Sequence, residues 1–204
     1  MSGCLIISDG SLPGMVAAAI EYERRSGPVP KVWPGDPLAW ISGPTRSMAH
    51  HAVRAQAEIL GLEMLDRDWL GSDGSGPGQS LALLGVAQQA AVLGVRRVVW
   101  AVQFPPLGVE PDLDRIAATV DRCLLISRLV SLDLWDQPHP PVPEVRLETP
   151  LVDLSDSQIV DLALDLGVPI ASAWWIDGVG VPAQAEQRRW LPLLAELGWA
   201  VQSV

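Results

Sequence analysis

Ser8, Asp9, Gly10, Ser11 and Gly14 stand close together between the apolar run Cys4-Leu5-Ile6-Ile7 and the alanine-rich stretch Met15 to Arg25. Hydroxyls and small residues at a strand-to-helix turn suit an anion cradle. The first amides of a helix lack intrahelical partners and sit at the positive end of its dipole, so they can hold a phosphate. The same residues also fit an ordinary strand-to-helix turn, and Asp9 adds a carboxylate to the loop. Two other groups invite a chemical reading. His50-His51, with Arg46 and Arg54, suggest a general base, but adjacent helical residues point about 100° apart and no acid is spaced to orient either ring, so a solvated polar face is the plainer reading. Glu110, Asp112 and Asp114 form an acidic group, yet Pro111-Asp112 ahead of a helical run reads first as a helix start, where acids favour the positive dipole end. Ser8 has no histidine at a fixed spacing, so a serine nucleophile is not supported. No catalytic residue is predicted.

These residues need a scaffold, and the chain repeats one stop signal four times. Leu60-Gly61, Leu93-Gly94, Leu166-Gly167 and Leu197-Gly198 each close a helical stretch, followed by Leu62, Val95, Val168 or Trp199. Glycine takes the left-handed turn after a helix and the next apolar residue packs back. Arg97 to Val102 is continuously apolar and β-branched, as in a strand covered on both faces. Alternation of such strands with helices predicts a parallel sheet with right-handed crossovers. Strands are expected at Cys4 to Ser8, Leu38 to Ser42, Glu63 to Leu65, Arg97 to Val102, Val145 to Leu147 and Trp199 to Val201. Helices are expected at Met15 to Arg25, Met48 to Leu60, Ser80 to Leu93, Asp112 to Leu129, Asp156 to Leu166 and Gln184 to Leu197. Ser155-Asp156-Ser157-Gln158 reads as a capping box. The loops Ser72 to Ser80 and Gln137 to Pro143 are too short to be domain linkers.

The 204 residues, 49% apolar, suffice for one domain with one sizeable core. A net charge of −10 argues against nucleic acid or an acidic membrane surface as partner, because gripping phosphates by attraction needs a basic face. Cys4 and Cys123 lie in apolar segments and read as buried free thiols. With no signal peptide and no long apolar run, the expected location is the cytoplasm.

From Leu5 to about Trp199 the chain resembles the 7-cyano-7-deazaguanine synthases of queuosine biosynthesis, members of the PP-loop ATP pyrophosphatase group. The resemblance is carried by Ser8-Asp9-Gly10, Gly43, Leu60-Gly61, Gly76-Pro77-Gly78-Gln79-Ser80, Pro111-Asp112 and, most specifically, Glu148-Thr149-Pro150-Leu151 ahead of Leu154 and Ile159-Val160. It implies an α/β fold of three layers: a five-stranded parallel sheet with helices on both faces, of the adenine nucleotide α-hydrolase (PP-loop, Rossmann-like) type, in a homodimer. The family uses ATP to activate a deazaguanine carboxylate, releases pyrophosphate, and converts the acid to a nitrile with ammonia.

The departures from the family pattern bear on that chemistry. Where the family loop reads SGGxDS, Asp9 replaces a glycine, Leu12 the aspartate and Pro13 the closing serine. A carboxylate repels phosphate, leucine cannot hold Mg²⁺, and proline removes a hydroxyl and an amide donor. The family's PGRN becomes Pro77-Gly78-Gln79-Ser80, without the arginine, and a lysine after Leu154 becomes Asp156. The family's zinc cysteines near the C-terminus have no counterpart in residues 170–204, so no zinc is expected there. Trp174, Trp175, Trp190 and Trp199 are expected to supply apolar packing in its place.

The favoured reading is a catalytically degenerate paralogue that binds a small metabolite or a protein partner and needs no cofactor. The alternative is an ATP-dependent ligase or amidotransferase with an altered site, requiring ATP and Mg²⁺. A third possibility reuses the cleft for different chemistry, with His50, His51, Arg46 or Glu148 as working groups. The candidate site comprises the phosphate loop (Ser8, Asp9, Gly10, Ser11, Gly14) and a cleft of Gly43, Arg46, Gly78, Gln79, Ser80, Glu148 and Thr149. No metal ligand is among them.

Overall fold

A computed structural model describes residues 3–104 and 112–199. The first strand, β1 (Cys4–Ser8), leads through the loop at Asp9 and Gly10 into helix α1 (Leu12–Arg24). There follow β2 (Lys31–Asp36), α2 (Pro44–Ile59), β3 (Glu63–Met64), β4 (Leu70–Gly71), α3 (Gly76–Val92), β5 (Arg97–Trp100), α4 (Leu113–Trp135), β6 (Arg146–Glu148), α5 (Asp156–Asp165), a 3-10 turn at Ile170–Ser172, and α6 (Val181–Glu196). Every strand pairing is parallel, in the order β3-β2-β1-β5-β6, with β4 also on β2. Among the described residues no helix is long and apolar enough to cross a membrane.

The central strands are buried on both sides, and this divides the core in two. Cys4, Ile6 and Val99 face the core beneath α1, α2, α5 and α6, while Leu5, Ile7, Val98 and Trp100 face α3 and α4. The unbroken apolar runs expected of a doubly covered parallel sheet therefore supply both layers. The free thiols of Cys4 and Cys123 are buried, as their apolar settings implied, and burial raises both pKa values, that of Cys123 to about 12.

All four leucine-glycine signals end helices with the same pair of bonds. Leu62 donates its N–H to Ala57 O at 2.8 Å and Gly61 to Glu58 O at 3.2 Å, and Val95, Val168 and Trp199 repeat the long-range bond to Ala90, Ala163 and Leu194. The glycines take positive φ, as this stop requires. The capping box is also formed: Gln158 N–H donates to Ser155 Oγ at 3.3 Å and Ser155 N–H to Gln158 Oε1 at 2.8 Å.

Two expected strands are corrected. The second strand is Lys31–Asp36 rather than Leu38 to Ser42. Pro34 and Gly35 disguise it as a turn, yet they fall where the partner on the outer side changes from β3, opposite Lys31 and Val32, to β4, opposite Gly35 and Asp36. A missing N–H is tolerated at such an interruption. Leu38 to Ile41 instead form a turn gathered by Asp36, whose Oδ1 accepts from Leu38 N–H at 2.9 Å and Oδ2 from Ile41 N–H at 2.8 Å. Trp199 follows α6 in a turn and is in no strand; residues 200–201 lie outside the described residues. The acidic group at 110–114 is described only from Asp112, whose carboxylate accepts Arg115 N–H at 3.1 Å and caps α4.

Candidate functional site

The direction of chain crossover changes on either side of β1, with β2 on one side and β5 on the other. In open parallel sheets the crevice at the C-terminal strand ends beside such a point is where ligands sit. Here that crevice is a cavity of about 220 Å³. Asp9, Ser11 and Pro13 line it from the β1–α1 loop, Asp36 and Trp40 from the end of β2, Trp100 and Gln103 from β5 and its exit. Trp174 and the α6 residues Pro182, Ala185, Glu186 and Arg189 close the remaining side.

The β1–α1 loop is largely satisfied from within. Asp9 Oδ1 accepts Ser11 N–H at 2.9 Å, and Ser8 Oγ accepts Gly10 N–H at 3.3 Å. A carboxylate oxygen thus already occupies the acceptor position over one amide of the turn. Gly14 lies in the first turn of α1, where a Cβ would stand 2.4 Å from Ser8 Oγ, so this glycine lets the helix start close against the strand end.

Three carboxylates share the cavity and burial raises the pKa of each. For Asp9 desolvation outweighs the Ser11 bonds. For Asp36, only 4% exposed, desolvation and then the Asp9 charge push it up to about 6. For Glu186 desolvation again leads, opposed by Arg189 and by the Trp190 indole N–H, which donates to Oε2 at 2.6 Å. Among the described residues one cation, Arg189, lines the wall, and its hydrogen bonds are committed elsewhere. Arg189 donates to both oxygens of Asp156, Nε to Oδ2 at 2.9 Å and Nη2 to Oδ1 at 2.7 Å, and Nη2 also donates to Gln103 Oε1 at 2.7 Å. Gln103 Nε2 completes the knot by donating to Leu154 O at 2.8 Å and Asp156 Oδ1 at 2.9 Å. Among the described residues no three His, Cys, Asp or Glu side chains are grouped so as to hold a metal ion.

The backbone resembles that of U34-tRNA thiolase NcsA from Methanococcus maripaludis, solved with its 4Fe-4S cluster, with a TM-score of 0.50 and 11% identity over 97% of this chain and 68% of that one. This is the PP-loop, adenine nucleotide α-hydrolase type of fold. NMN synthetase from Francisella tularensis aligns with a TM-score of 0.34 and 15% identity over 99% of this chain and 89% of that one. No protein-family model matches the sequence, and no curated protein matches it either. The likeness is one of fold.

Of the sequence-derived candidates, Asp9 and Ser11 line the cavity, with Ser8, Gly10 and Gly14 shaping their loop. The cleft candidates do not line it. Gly43 precedes α2 with φ 56°, and Arg46 lies over Trp69, 5.9 Å from the ring centre. Gly78 N–H caps on Ser75 Oγ at 3.0 Å, Ser80 Oγ donates to Gly76 O at 3.0 Å, and Gln79 accepts from Arg122. Glu148 turns toward the α1 face, where Arg97 bridges it and the buried Glu21 at 2.8 Å each. Thr149 sits in the turn after β6, its carbonyl accepting Val152 N–H at 3.3 Å. His50 and His51 lie on α2 with rings 6.3 Å apart and nearly perpendicular, and the Ser47 carbonyl engages His51 rather than any acid.

The residues missed from sequence are Asp36, Gln103, Glu186 and Arg189. Asp36 was hidden by the misplaced second strand. Glu186 and Arg189, three apart on α6, share a helix face, but only the docking of that helix over the β1–α1 loop brings that face to the site.

Proposed function

We propose that the chain is a catalytically degenerate member of its fold type, akin to the 7-cyano-7-deazaguanine synthases it resembles in sequence, which binds a small metabolite in the cavity above β1 without gripping a nucleotide triphosphate. The observation that carries this reading is the Asp9 carboxylate seated on Ser11 N–H, in a cavity where Asp36 and Glu186 add negative charge. A triphosphate would have to displace the carboxylate or face it across a low-dielectric gap, where like charges cost most. Leu12 and Pro13, in place of an acid and a hydroxyl, offer Mg²⁺ no ligand and phosphate no donor. The lining is otherwise aromatic and apolar, with a few convergent polar groups, the ordinary make-up of a small-molecule site.

The same reading takes the protein as a cytoplasmic homodimer. The outer surface of α4, with exposed Leu124, Leu125, Leu129, Leu132 and Trp135, supports a self-association face.

Titration calorimetry with ATP and Mg²⁺ tests the central claim. The expected result is no binding tighter than about 1 mM. Submillimolar binding with pyrophosphate release from a candidate acid would instead establish the ATP-dependent ligase.

A further inference from the structure

We infer that the ligand of this cavity is a small, flat organic cation, such as a protonated amidine or amino-heterocycle, held between tryptophan faces and the carboxylates of Asp9, Asp36 and Glu186. The inference rests on the small-molecule reading above and gives it a chemical class.

The charge of the wall comes first. Arg189 spends its hydrogen bonds on Asp156 and Gln103 and only partly offsets Asp9 and Glu186 by charge, so among the described lining residues the acids outnumber the one cation. Arg115, from α4, is not part of the lining, though it lies 5.4 Å from the ring of Trp40, which is, and 4.5 Å from that of Phe104. Each acid keeps bonding capacity or charge to give. Asp9 uses one oxygen on Ser11, Glu186 uses one on Trp190, and Asp36 carries its charge against two backbone amides.

The aromatic wall is independent of the acids. Trp40, Trp100 and Trp174 all line the cavity, and indole is the best ring for attracting a cation through its negative face. Trp174 is 7% exposed, and its indole N–H has no acceptor among the described residues. That nitrogen is enclosed by protein, so what Trp174 offers a guest is apolar ring surface. At about 220 Å³ the cavity is smaller than those that enclose drug-sized ligands, which limits the buried part of the guest to one or two rings. A cation would favour the ionised form of acids that burial pushes toward the neutral one, a neutral guest would not, and an anion would oppose their ionisation.

Three isosteric probes that differ mainly in charge separate these cases: pyridine-3-carboxamidine, pyridine-3-carboxamide and pyridine-3-carboxylate. Binding to the full chain is followed at pH 7.5 by tryptophan fluorescence and by calorimetry. The amidine is expected to bind at least about tenfold tighter than the amide, with the carboxylate weakest. Glu186→Gln and Asp9→Asn are expected each to weaken the amidine about tenfold while leaving the amide unchanged. Asparagine and glutamine retain the oxygen that accepts Ser11 N–H or Trp190 N–H, and if one variant misfolds the other still decides. Equal affinity for the three probes, preference for the carboxylate, no binding of any of them, or variants that leave the amidine unaffected would overturn the inference. Submillimolar ATP binding would overturn the proposed function instead, so the two failures are distinct.

Discussion

Asp36 does two things that pull against each other. Its oxygens gather the turn after β2 by accepting from Leu38 and Ile41, which favours the carboxylate, yet burial and the Asp9 charge favour its neutral form and raise the pKa to about 6. Because the folded chain holds this proton more tightly than the unfolded chain, the stabilisation is fully present below the unfolded value of about 4 and is lost as pH rises through about 6. Asp9 and Glu186 are shifted in the same direction. Thermal unfolding of the wild type and Asp36→Asn from pH 4 to 7 checks this. The variant is expected to lose about 1–3 kcal/mol at pH 5 from an orphaned backbone amide, and its stability should decline less steeply as pH rises. A steeper decline in the variant would contradict the assignment. At this scale the sequence announced Asp9 and Ser11, because they adjoin a recognisable strand-to-helix turn. It could not announce Asp36, Glu186 or Gln103, whose neighbours are brought to them by packing between elements far apart in the chain.

At the scale of elements, the four helix ends marked by leucine-glycine were legible, as were the starts of α4 and α5 at the caps Asp112 and Ser155, whereas α4, with no such stop, runs on to Trp135 rather than the expected Leu129. Glycine after leucine marked four C-termini, because a left-handed residue there is a local requirement. By contrast α1, α2, α3 and α6 each begin three or four residues before the expected start, and each carries a proline in its first turn: Pro13, Pro44, Pro77 and Pro182. Proline fits that turn because the first amides have no intrahelical carbonyl to bond. The four helices therefore start at prolines that look from sequence like loop residues, as Pro34 does in β2. Gly35 shows why that strand tolerates its composition. A Cβ there would stand 2.3 Å from Leu70 Cβ and 2.6 Å from Leu70 O, so only glycine lets β4 approach. Gly35→Ala is expected to destabilise the fold by about 1–3 kcal/mol and to expose the β4 amides to hydrogen exchange. Ser155→Ala, which removes one half of the capping box, should cost about 1 kcal/mol without altering probe binding, as chemical denaturation and the fluorescence titration would show.

Across the whole molecule, three tryptophans of the C-terminal part tie that part into the core that lies under the β1–α1 loop. Trp175 and Trp190 are fully buried and Trp174 nearly so, in the same core cluster as α1, α2 and α5. Gln187 fastens the segment before α6 by donating to the carbonyls of Trp175, Ile176 and Gly178 at 2.7, 3.1 and 3.2 Å. The apolar packing expected of Trp174, Trp175 and Trp190 is present, and Trp199 packs half-buried against the same cluster. That these indoles also hold α6 above the β1–α1 loop follows only from the assembled fold. Because Trp190 accounts for one of the largest side chains with no exposure, Trp190→Ala is expected to cost about 3–5 kcal/mol. The loss should not be confined to the tail. Trp190 stands next to Arg189, whose guanidinium lies 4.2 Å from its ring centre, and its N–H holds Glu186. The variant should therefore lose both stability and amidine binding, whereas Trp190→Phe, which keeps a ring beneath Arg189 but frees Glu186, should lose less stability and shift the pH dependence of binding upward. Full binding in Trp190→Ala despite the expected destabilisation would mean that α6 is positioned by other contacts.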